Sequence, residues 1–318
     1  QMYANIYKIN ETFTISVDIN KSHVKGVMEA IYYDHPELFW IGDSYSYKYT
    51  KNENVIEITV KFNETAKDIN KTKHEFEQVA SNILEGANAL ASDYQKEKYV
   101  HNRLLEMVDY DTNAVVNQSA YSALVNKKTV CAGYARAFQY LLMKLDIPCY
   151  YVVGTAKGDH AWNIVYLADG YYNVDVTWDD SAKNKYAYFN KTDSDFSKEH
   201  VRNSASVKLP SCSAYGYRNL EVGTSNKNNT RSKANSNKGT ADANWEQKDD
   251  VKKAVESSDI EKKSNEDVND EKNNLIDDSN LTDDNNETTD ADGTEVIVDE
   301  AKGEFDSDFG VEEKESLE

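Results

Sequence analysis

The sequence predicts an α+β protein in which several helices precede a small antiparallel sheet. From residue 65 to residue 108, apolar side chains recur at spacings of three, four and seven, as in two successive amphipathic helices. A third helical pattern begins at Cys131. Three segments then have the alternation and short turns of consecutive strands: residues 149–156, 160–168 and 171–178. This order predicts a helix that carries a cysteine at its start, followed by an antiparallel meander.

The first 63 residues predict a smaller αβ unit ahead of this core. Polar and apolar residues alternate from Thr12 to Ile19, as in a half-buried strand. A helical stripe follows and ends near Asp34, because Pro36 disfavours helical geometry at the residue before it. Residues 44–50 and 54–62 alternate again and complete the unit. We therefore predict three regions: an αβ unit at residues 1–63, a main domain at 64–221 and a tail at 222–318.

Residues 222–318 have the composition of a disordered acidic tail. They contain 28 acidic and 12 basic side chains, which is most of the net charge of −20, and few aromatic residues. Such a segment buries too little apolar surface to offset the entropy lost on ordering. We predict that the tail is a solvated spacer, with a partner-binding segment as the alternative.

Composition also excludes several classes of function. An acidic chain without a basic stripe is a poor candidate for nucleic-acid binding, since phosphate neutralisation supplies most of that affinity. No run of about 18 apolar residues exists, so no membrane span is predicted. The three cysteines, Cys131, Cys149 and Cys212, include no CxxC pair, which argues against a disulfide framework or a zinc ribbon. We therefore predict no metal site.

Three residues of the main domain could form a catalytic triad. If a turn at residues 168–169 joins the last two strands, His160 and Asp175 lie on the same face of the hairpin, one diagonal step apart. A carboxylate in that position can accept a hydrogen bond from the imidazole and stabilise its charged form. Cys131 lies in the first turn of its helix, where free N–H groups and the helix dipole favour a thiolate. Together they would activate sulfur for attack on a carbonyl group.

Each of these residues also has a simpler interpretation. A lone cysteine in a helix is more often an apolar filler than a nucleophile. His160 could be a hydrogen-bonded core residue, and Asp175 could close a turn or cap a neighbouring helix. Their joint occurrence in this order favours the triad. Gly133 is predicted to let the helix pack closely on the sheet. The adjacent Asp179 and Asp180 are predicted to form a solvated turn, although they could bind a cation.

Two stretches carry a resemblance to a known family. "SAYSALVNKKTVCAGYARAFQYLLMKLDIPCYYVVG" and "DHAWNIVYLADGYYNVDVTWDD" resemble the core of the transglutaminase-like superfamily, in the variety found in secreted and surface proteins of Gram-positive bacteria. The resemblance covers residues 119–180 closely, and the Cys, His and Asp segments occur in the order of the family. It implies a papain-like fold, with a triad of Cys131, His160 and Asp175 and with residues 64–221 as the catalytic domain.

The family further implies acyl transfer from the carboxamide of a protein or peptide glutamine. Cys131 would form a thioester, which an amine or water would resolve without any cofactor. An oxyanion hole is required. The N–H of Cys131 is one candidate donor, and either Tyr121 or Gln118 is the second. Trp162 and Trp178 could wall the cleft or fill the core.

Two other functions remain open at this stage. A thiol peptidase or amidase acting on peptide or cell-wall amide bonds would use the same triad, because the cleft and its access to water select the acceptor. A non-catalytic binding or scaffold protein of the cell surface is the other. The resemblance places the protein outside the cell, with cell-wall or surface proteins as partners. In that setting the tail could itself be a crosslinking substrate through Gln247.

Overall fold

The computed structural model describes residues 1–217, 288–289, 295–296 and 298–305. The helices are α1 (Met2–Tyr7), α2 (Val24–Asp34), α3 (Ile69–Asn88), α4 (Asp93–Met107), α5 (Cys131–Lys144), α6 (Val176–Ser181) and α7 (Asp193–Phe196). The strands are β1 (Thr12–Thr14), β2 (Ile41–Thr50), β3 (Val55–Phe62), β4 (Asp109–Tyr110), β5 (Lys128–Thr129), β6 (Cys149–Thr155), β7 (Asp159–Leu167), β8 (Gly170–Val174), β9 (Val201–Arg202), β10 (Thr288–Thr289), β11 (Glu295–Val296) and β12 (Val298–Glu304). None of the helices in the described part of the chain has the length and apolar character needed to cross a bilayer. The predicted α+β class is confirmed.

The N-terminal sheet has the strand order β1-β3-β2-β12, and every neighbouring pair is antiparallel. The strands predicted at residues 44–50 and 54–62 are confirmed as β2 and β3, with Tyr47 opposite Ile58. Strand β12 lies within the region predicted to be a disordered tail. Its seven residues pair with β2 from Val298 opposite Thr50 to Glu304 opposite Ser44. Most of the remaining tail lies outside the described residues.

An apolar core runs across the predicted boundary at residue 63. The ring of Phe39 lies 4.7 Å from that of Phe76 on α3 and 5.0 Å from that of Tyr121. Arg136 of α5 makes a second connection. Its guanidinium group lies between two rings, 3.8 Å from that of Tyr32 and 4.6 Å from that of Tyr151, and donates to the carbonyl of Tyr32. These contacts fix the end of α2 beside α5, and the division at residue 63 stays a prediction.

Helix α5 is the central element of the main domain. All residues from Cys131 to Leu142 are buried, which is typical of a helix enclosed on every side. It packs mainly against β7 and also contacts β6, α4 and α6. The helix ends at Lys144, and Asp146 with a φ of 59° turns the chain toward Pro148 and β6. The first turn of α5, which carries Cys131, is therefore one end of a buried helix.

The second sheet has the order β8-β7-β6-β9, so the predicted meander of three strands is confirmed and a short edge strand joins it. Leu167 pairs with Gly170, as the predicted turn requires. The strand predicted at residues 171–178 ends earlier, at Val174. Asp175 is the N-cap of α6, and its Oδ1 accepts a hydrogen bond from the N–H of Trp178 at 3.0 Å. The chain leaves the sheet here because this cap starts a helix.

Glu97 on α4 is a buried carboxyl group within the main domain. Its side chain is fully buried; Oε2 accepts from Asn190 at 3.0 Å, and Oε1 has no hydrogen-bond partner. Burial raises the pKa of Glu97 from its ordinary value of 4.5 to about 8, against the opposing effect of the Asn190 hydrogen bond. At neutral pH the folded protein therefore holds this group in its protonated form.

We expect the stability of Glu97→Gln, measured against that of the wild type, to be higher at pH 8 than at pH 5. In the wild type, Glu97 of the unfolded chain ionises above pH 4.5, whereas in the folded protein it stays protonated until about pH 8. Its contribution to stability is therefore complete below pH 4.5 and is lost as the pH rises toward 8. The gain at pH 8 over that at pH 5 should be on the order of 3 kcal/mol, since the wild type loses up to about 1.4 kcal/mol for each pH unit between these values. Urea unfolding at the two pH values measures it. Exposed Glu85 supplies the control, Glu85→Gln, which should show no such difference.

Candidate active site

Cys131 is the first residue of α5, as predicted. The N-cap residue is Val130, whose side chain offers no acceptor to the N–H groups of the first turn. The N–H groups of Gly133 and Tyr134 bond to the carbonyl of Val130. The N–H of Cys131 is thus available as a donor. Cys131 packs in a small cluster with Ala161 of β7.

His160 and Asp175 form the pair predicted from the hairpin. Nε2 of His160 lies 2.7 Å from Oδ2 of Asp175, and both side chains are buried. The thiol of Cys131 lies within hydrogen-bonding range of the same imidazole. Because Nε2 is occupied by Asp175, Nδ1 is the ring nitrogen that is left for the thiol. The three predicted residues are therefore brought together in the order sulfur, imidazole, carboxylate.

The charges of this group stabilise one another. Burial alone would lower the pKa of His160, but the charges and hydrogen bonds of Asp175 and Cys131 raise it well above its usual range. Burial alone would raise the pKa of Asp175, but the charge of His160 and hydrogen bonds from His160 and His200 lower it well below its usual range. These directions favour an imidazolium ion at His160, held between the sulfur of Cys131 and the carboxylate of Asp175.

His200 belongs to the same cluster and was missed by the sequence analysis. Its Nε2 lies 2.9 Å from Oδ2 of Asp175, so two imidazoles share one carboxylate oxygen. Its position 25 residues beyond Asp175 gives no periodicity signal. A signal that could have found it is its place in the stretch "YFNKTDSDFSKEH", which closely follows the segments that carry His160 and Asp175.

The distances among His160, Asp175 and His200 fit hydrogen bonds better than metal ligation. Their ligand atoms lie within 4.8 Å of one another, close enough to be considered as a metal site. Ligand atoms around a tetrahedral zinc ion with bonds of about 2.0–2.1 Å lie about 3.3 Å apart. The two N to O distances here are 2.7 and 2.9 Å. A metal would have to separate groups that already satisfy one another, and the expectation of no metal site stays a prediction.

The two predicted tryptophans have different positions. Trp162 is buried in the core, where Nε1 donates to Asn173 at 3.2 Å and the ring lies 6.2 Å from that of His160. Trp178 is only half-buried, and its ring lies 5.8 Å from His160 and 4.6 Å from His200. Trp162 therefore supports the histidines from within, whereas Trp178 covers them at the surface and can wall a cleft.

The two candidates for a second oxyanion donor, Tyr121 and Gln118, also have different surroundings. The hydroxyl of Tyr121 donates to Glu75 on α3 at 2.8 Å, and its ring packs on Phe39 in a different core cluster from Cys131. The structure gives Tyr121 a packing role and does not bring it to the sulfur. Gln118 lies in a loop that touches the start of α5, because the carbonyl of the preceding residue, Asn117, accepts from the N–H of Val130 at 3.2 Å.

Gln118 also lines a cavity of about 330 Å³, together with Tyr32, Phe39 and Arg136. Neither Cys131 nor His160 lines this cavity, so the nearness of Gln118 to the first turn of α5 depends on the hydrogen bond between Asn117 and Val130. This placement favours Gln118 over Tyr121 as the second donor.

Asp179 is not part of a solvated turn, and this interpretation of the sequence was wrong. Its carboxylate is fully buried and lies 2.9 Å from Nε2 of His101 on α4. Its other oxygen accepts from the N–H of Tyr188 at 2.7 Å. Asp180 accepts from the hydroxyl of Tyr134 at 2.9 Å. These bonds hold α6, whose N-cap is Asp175, against α4 and α5.

All three cysteines are free and buried. Burial raises the pKa of Cys149 well above its usual range, and burial together with Asp193 raises the pKa of Cys212 to about 12. Both groups should stay protonated and unreactive near neutral pH.

We expect iodoacetamide near pH 7 to label Cys131 selectively in the folded protein. Cys131 interacts with His160, and cysteines next to a protonated histidine are the reactive ones in proteins. Peptide mass mapping after a short incubation locates the label. Equal labelling of Cys149 or Cys212 would contradict this assignment, and labelling of all three sites in urea is the positive control.

Comparison with known proteins found one similar family and several similar proteins. Residues 77–176 match the family model of the transglutaminase-like superfamily. The kyphoscoliosis peptidases of Mus musculus and Homo sapiens are 28% identical over 119 residues and 27% identical over 124 residues. These alignments cover 32% and 33% of this chain but only 18% of each relative, so the chain spans less than a fifth of their length.

A crystal structure of a TGase aligns with 52% of this chain and 50% of its own, at 15% identity and a TM-score of 0.30. The matched family segment begins on α3 and extends through Cys131, His160 and Asp175 into α6. Residues 77–176 of this chain are thus similar to the transglutaminase-like superfamily.

Proposed function

We propose that the protein is a cysteine enzyme that transfers the acyl group of a protein or peptide glutamine to an amine or to water. The observation that carries this proposal is the chain of contacts from the Cys131 thiol through His160 to Asp175. A nucleophile, a base and a group that orients the base are the parts that acyl transfer requires.

The reaction would proceed in two halves. The thiolate of Cys131 attacks the carboxamide carbon, and the oxyanion is stabilised by the N–H of Cys131 and by Gln118. The C–N bond then breaks, and ammonia leaves with a proton from His160, so that a thioester remains. In the second half, an amine or water gives its proton to His160 as it attacks the thioester carbonyl. The product is a substituted amide or a glutamate, and the thiolate is restored.

A thiol peptidase or amidase is the second candidate, and the name of the kyphoscoliosis peptidases favours it. The triad serves both activities, because a peptide nitrogen can leave in place of ammonia. Water would then be the only acceptor. We further propose that the substrates are secreted or cell-surface proteins.

The test is intact-mass analysis of a glutamine peptide incubated with the protein and a primary-amine probe. Amine incorporation that is lost in Cys131→Ala supports acyl transfer to amines. Cleavage or deamidation that depends on Cys131 but not on the probe supports the hydrolase. If no product depends on Cys131 across a broad peptide panel, and iodoacetamide does not label it near pH 7, a non-catalytic binding protein is the better description.

A further inference from the structure

His200 is a second imidazole bound to the carboxylate that orients His160. Its side chain is 1% exposed, and its Nε2 approaches the oxygen of Asp175 that His160 also uses. Its backbone is fixed from both sides. The N–H of His200 bonds to the carbonyl of Phe196 at 2.8 Å, and the next residue begins β9, which pairs with β6.

The surroundings of His200 determine its protonation. Nε2 must carry a hydrogen, because it faces a carboxylate oxygen at 2.9 Å. Nδ1 is buried and has no hydrogen-bond partner. A second proton at Nδ1 would create a buried cationic donor without an acceptor, which is far more costly than an unused lone pair. His200 is therefore neutral and donates through Nε2.

We infer that His200 is a positioning residue of the proposed reaction: it fixes Oδ2 of Asp175 and, through this oxygen, sets the orientation and proton affinity of His160. The inference rests on the proposed function of the Cys131, His160 and Asp175 triad. Asp175 accepts three hydrogen bonds, from the N–H of Trp178 and from the two imidazoles. A carboxylate held by three donors cannot rotate away when the imidazolium loses its proton during turnover. The extra donor also spreads the negative charge, so that Asp175 holds the proton of His160 less tightly.

The other ionisable groups around this cluster are few. Asp179 interacts electrostatically with Asp175 from the next turn of α6 and is bonded to His101. Glu199 accepts from the hydroxyl of Tyr188, and the amine of Lys157 lies 5.5 Å from the ring of Trp178. Cys131, Asp175 and Tyr188 are therefore the ionisable groups next to the two histidines, whereas Asp179, Glu199 and Lys157 contact neighbours of the histidines.

The site allows a substitution that keeps the shape of His200 but removes its donor. Its ring lies 4.3 Å from that of Phe196, 4.6 Å from Trp178 and 5.1 Å from Trp162, so an aromatic residue is accommodated. His200→Phe deletes the N–H, whereas His200→Gln keeps an N–H at a similar reach. His101→Phe is the matched control. It removes an equivalent 2.9 Å bond to a buried aspartate of the same helix, again among aromatic rings.

The experiment measures amine incorporation and iodoacetamide labelling of Cys131 from pH 5 to pH 10.5 in the full chain. We expect His200→Phe to lower incorporation about tenfold or more, since small displacements of reacting groups can cost up to about 100-fold. It should also keep a larger fraction of its maximum at pH 10, because the proton of His160 is held more tightly. His200→Gln should restore both properties toward the wild type, and His101→Phe should leave the pH profile unchanged.

An unchanged rate and profile in His200→Phe would overturn the inference, as would a loss equal to that of His101→Phe without a change in profile. Failure of the wild type to label Cys131 would instead contradict the proposed function. If His200→Phe does not fold, NMR of the wild type labelled with ¹⁵N-histidine tests the inference through the protonation of His200. We expect a neutral His200 with its proton on Nε2. Its signal is identified as the one that is lost in His200→Gln. A doubly protonated His200, or a proton on Nδ1, would overturn it.

Discussion

Replacement of Asp175 by Asn is expected to lower acyl transfer by about 10³- to 10⁴-fold while leaving the protein folded. A triad carboxylate acts by holding the correct tautomer of its histidine and by stabilising the imidazolium, and loss of that charge alone costs about this factor. Oδ2 of Asp175 receives Nε2 of both His160 and His200. In the Asp175→Asn variant, the new side-chain amide could present its N–H₂ to these nitrogens and so reverse the direction of the hydrogen bond to His160. The remaining carbonyl oxygen of that amide could still cap α6, which preserves the local backbone.

The pH dependence of activity provides an independent test of Asp175→Asn. His160 has a pKa raised by Asp175 and Cys131, so its charged form persists well above neutral pH in the wild type. Removal of the carboxylate charge lowers that pKa, and the alkaline decline of activity should move to lower pH. Rates of amine incorporation across the pH range measure both effects. Asp179→Asn, one turn further along α6, is the matched control: it neutralises a carboxylate bonded to His101 and should shift the profile less than Asp175→Asn does. Activity of Asp175→Asn within tenfold of the wild type would contradict this role for Asp175.

Much of the candidate site was predictable because it depends on local rules. Strand alternation and a short turn at Leu167 and Gly170 were enough to place His160 and Asp175 on one face. The helical periodicity after Cys131 placed the sulfur at the start of α5. The change of strand into helix at Asp175 was not predicted, yet it improves the site, because the cap holds one carboxylate oxygen and leaves the other for His160.

The features that escaped prediction depend on contacts between distant parts of the chain. His200 approaches Asp175 only because β9 returns to the edge of β6. Strand β12 lies in a segment with the composition of a tail, and its pairing with β2 depends on a partner about 250 residues earlier. The buried bond between His101 and Asp179 likewise joins residues 78 positions apart. Composition and periodicity carry no information on such pairs.

Gly133→Ala is expected to destabilise the protein by about 2–3 kcal/mol, the cost of overpacking a buried site, and to reduce the reactivity of Cys131 as well. The prediction for Gly133 was partly right. A close approach does require a glycine, but the approaching element is the loop before α5. A Cβ atom at Gly133 would lie 2.9 Å from the carbonyl oxygens of both Asn117 and Ser119 and closer still to the hydroxyl of Thr129. Two of these contacts are with backbone, which cannot move without displacing the loop.

Displacement of that loop would also affect the reactivity of Cys131. The carbonyl of Asn117 accepts from the N–H of Val130 and from the hydroxyl of Thr129, and Gln118 follows it directly. A loop pushed away from α5 would therefore move the proposed oxyanion donor and loosen the first turn that carries Cys131. Chemical unfolding and the rate of iodoacetamide labelling measure the two effects. Gly26 on α2 supplies the control: it has no atom within 4 Å of an added Cβ, so Gly26→Ala should stabilise the helix by about 0.5–1 kcal/mol. A Gly133→Ala variant as stable as Gly26→Ala would show that this approach is not tight.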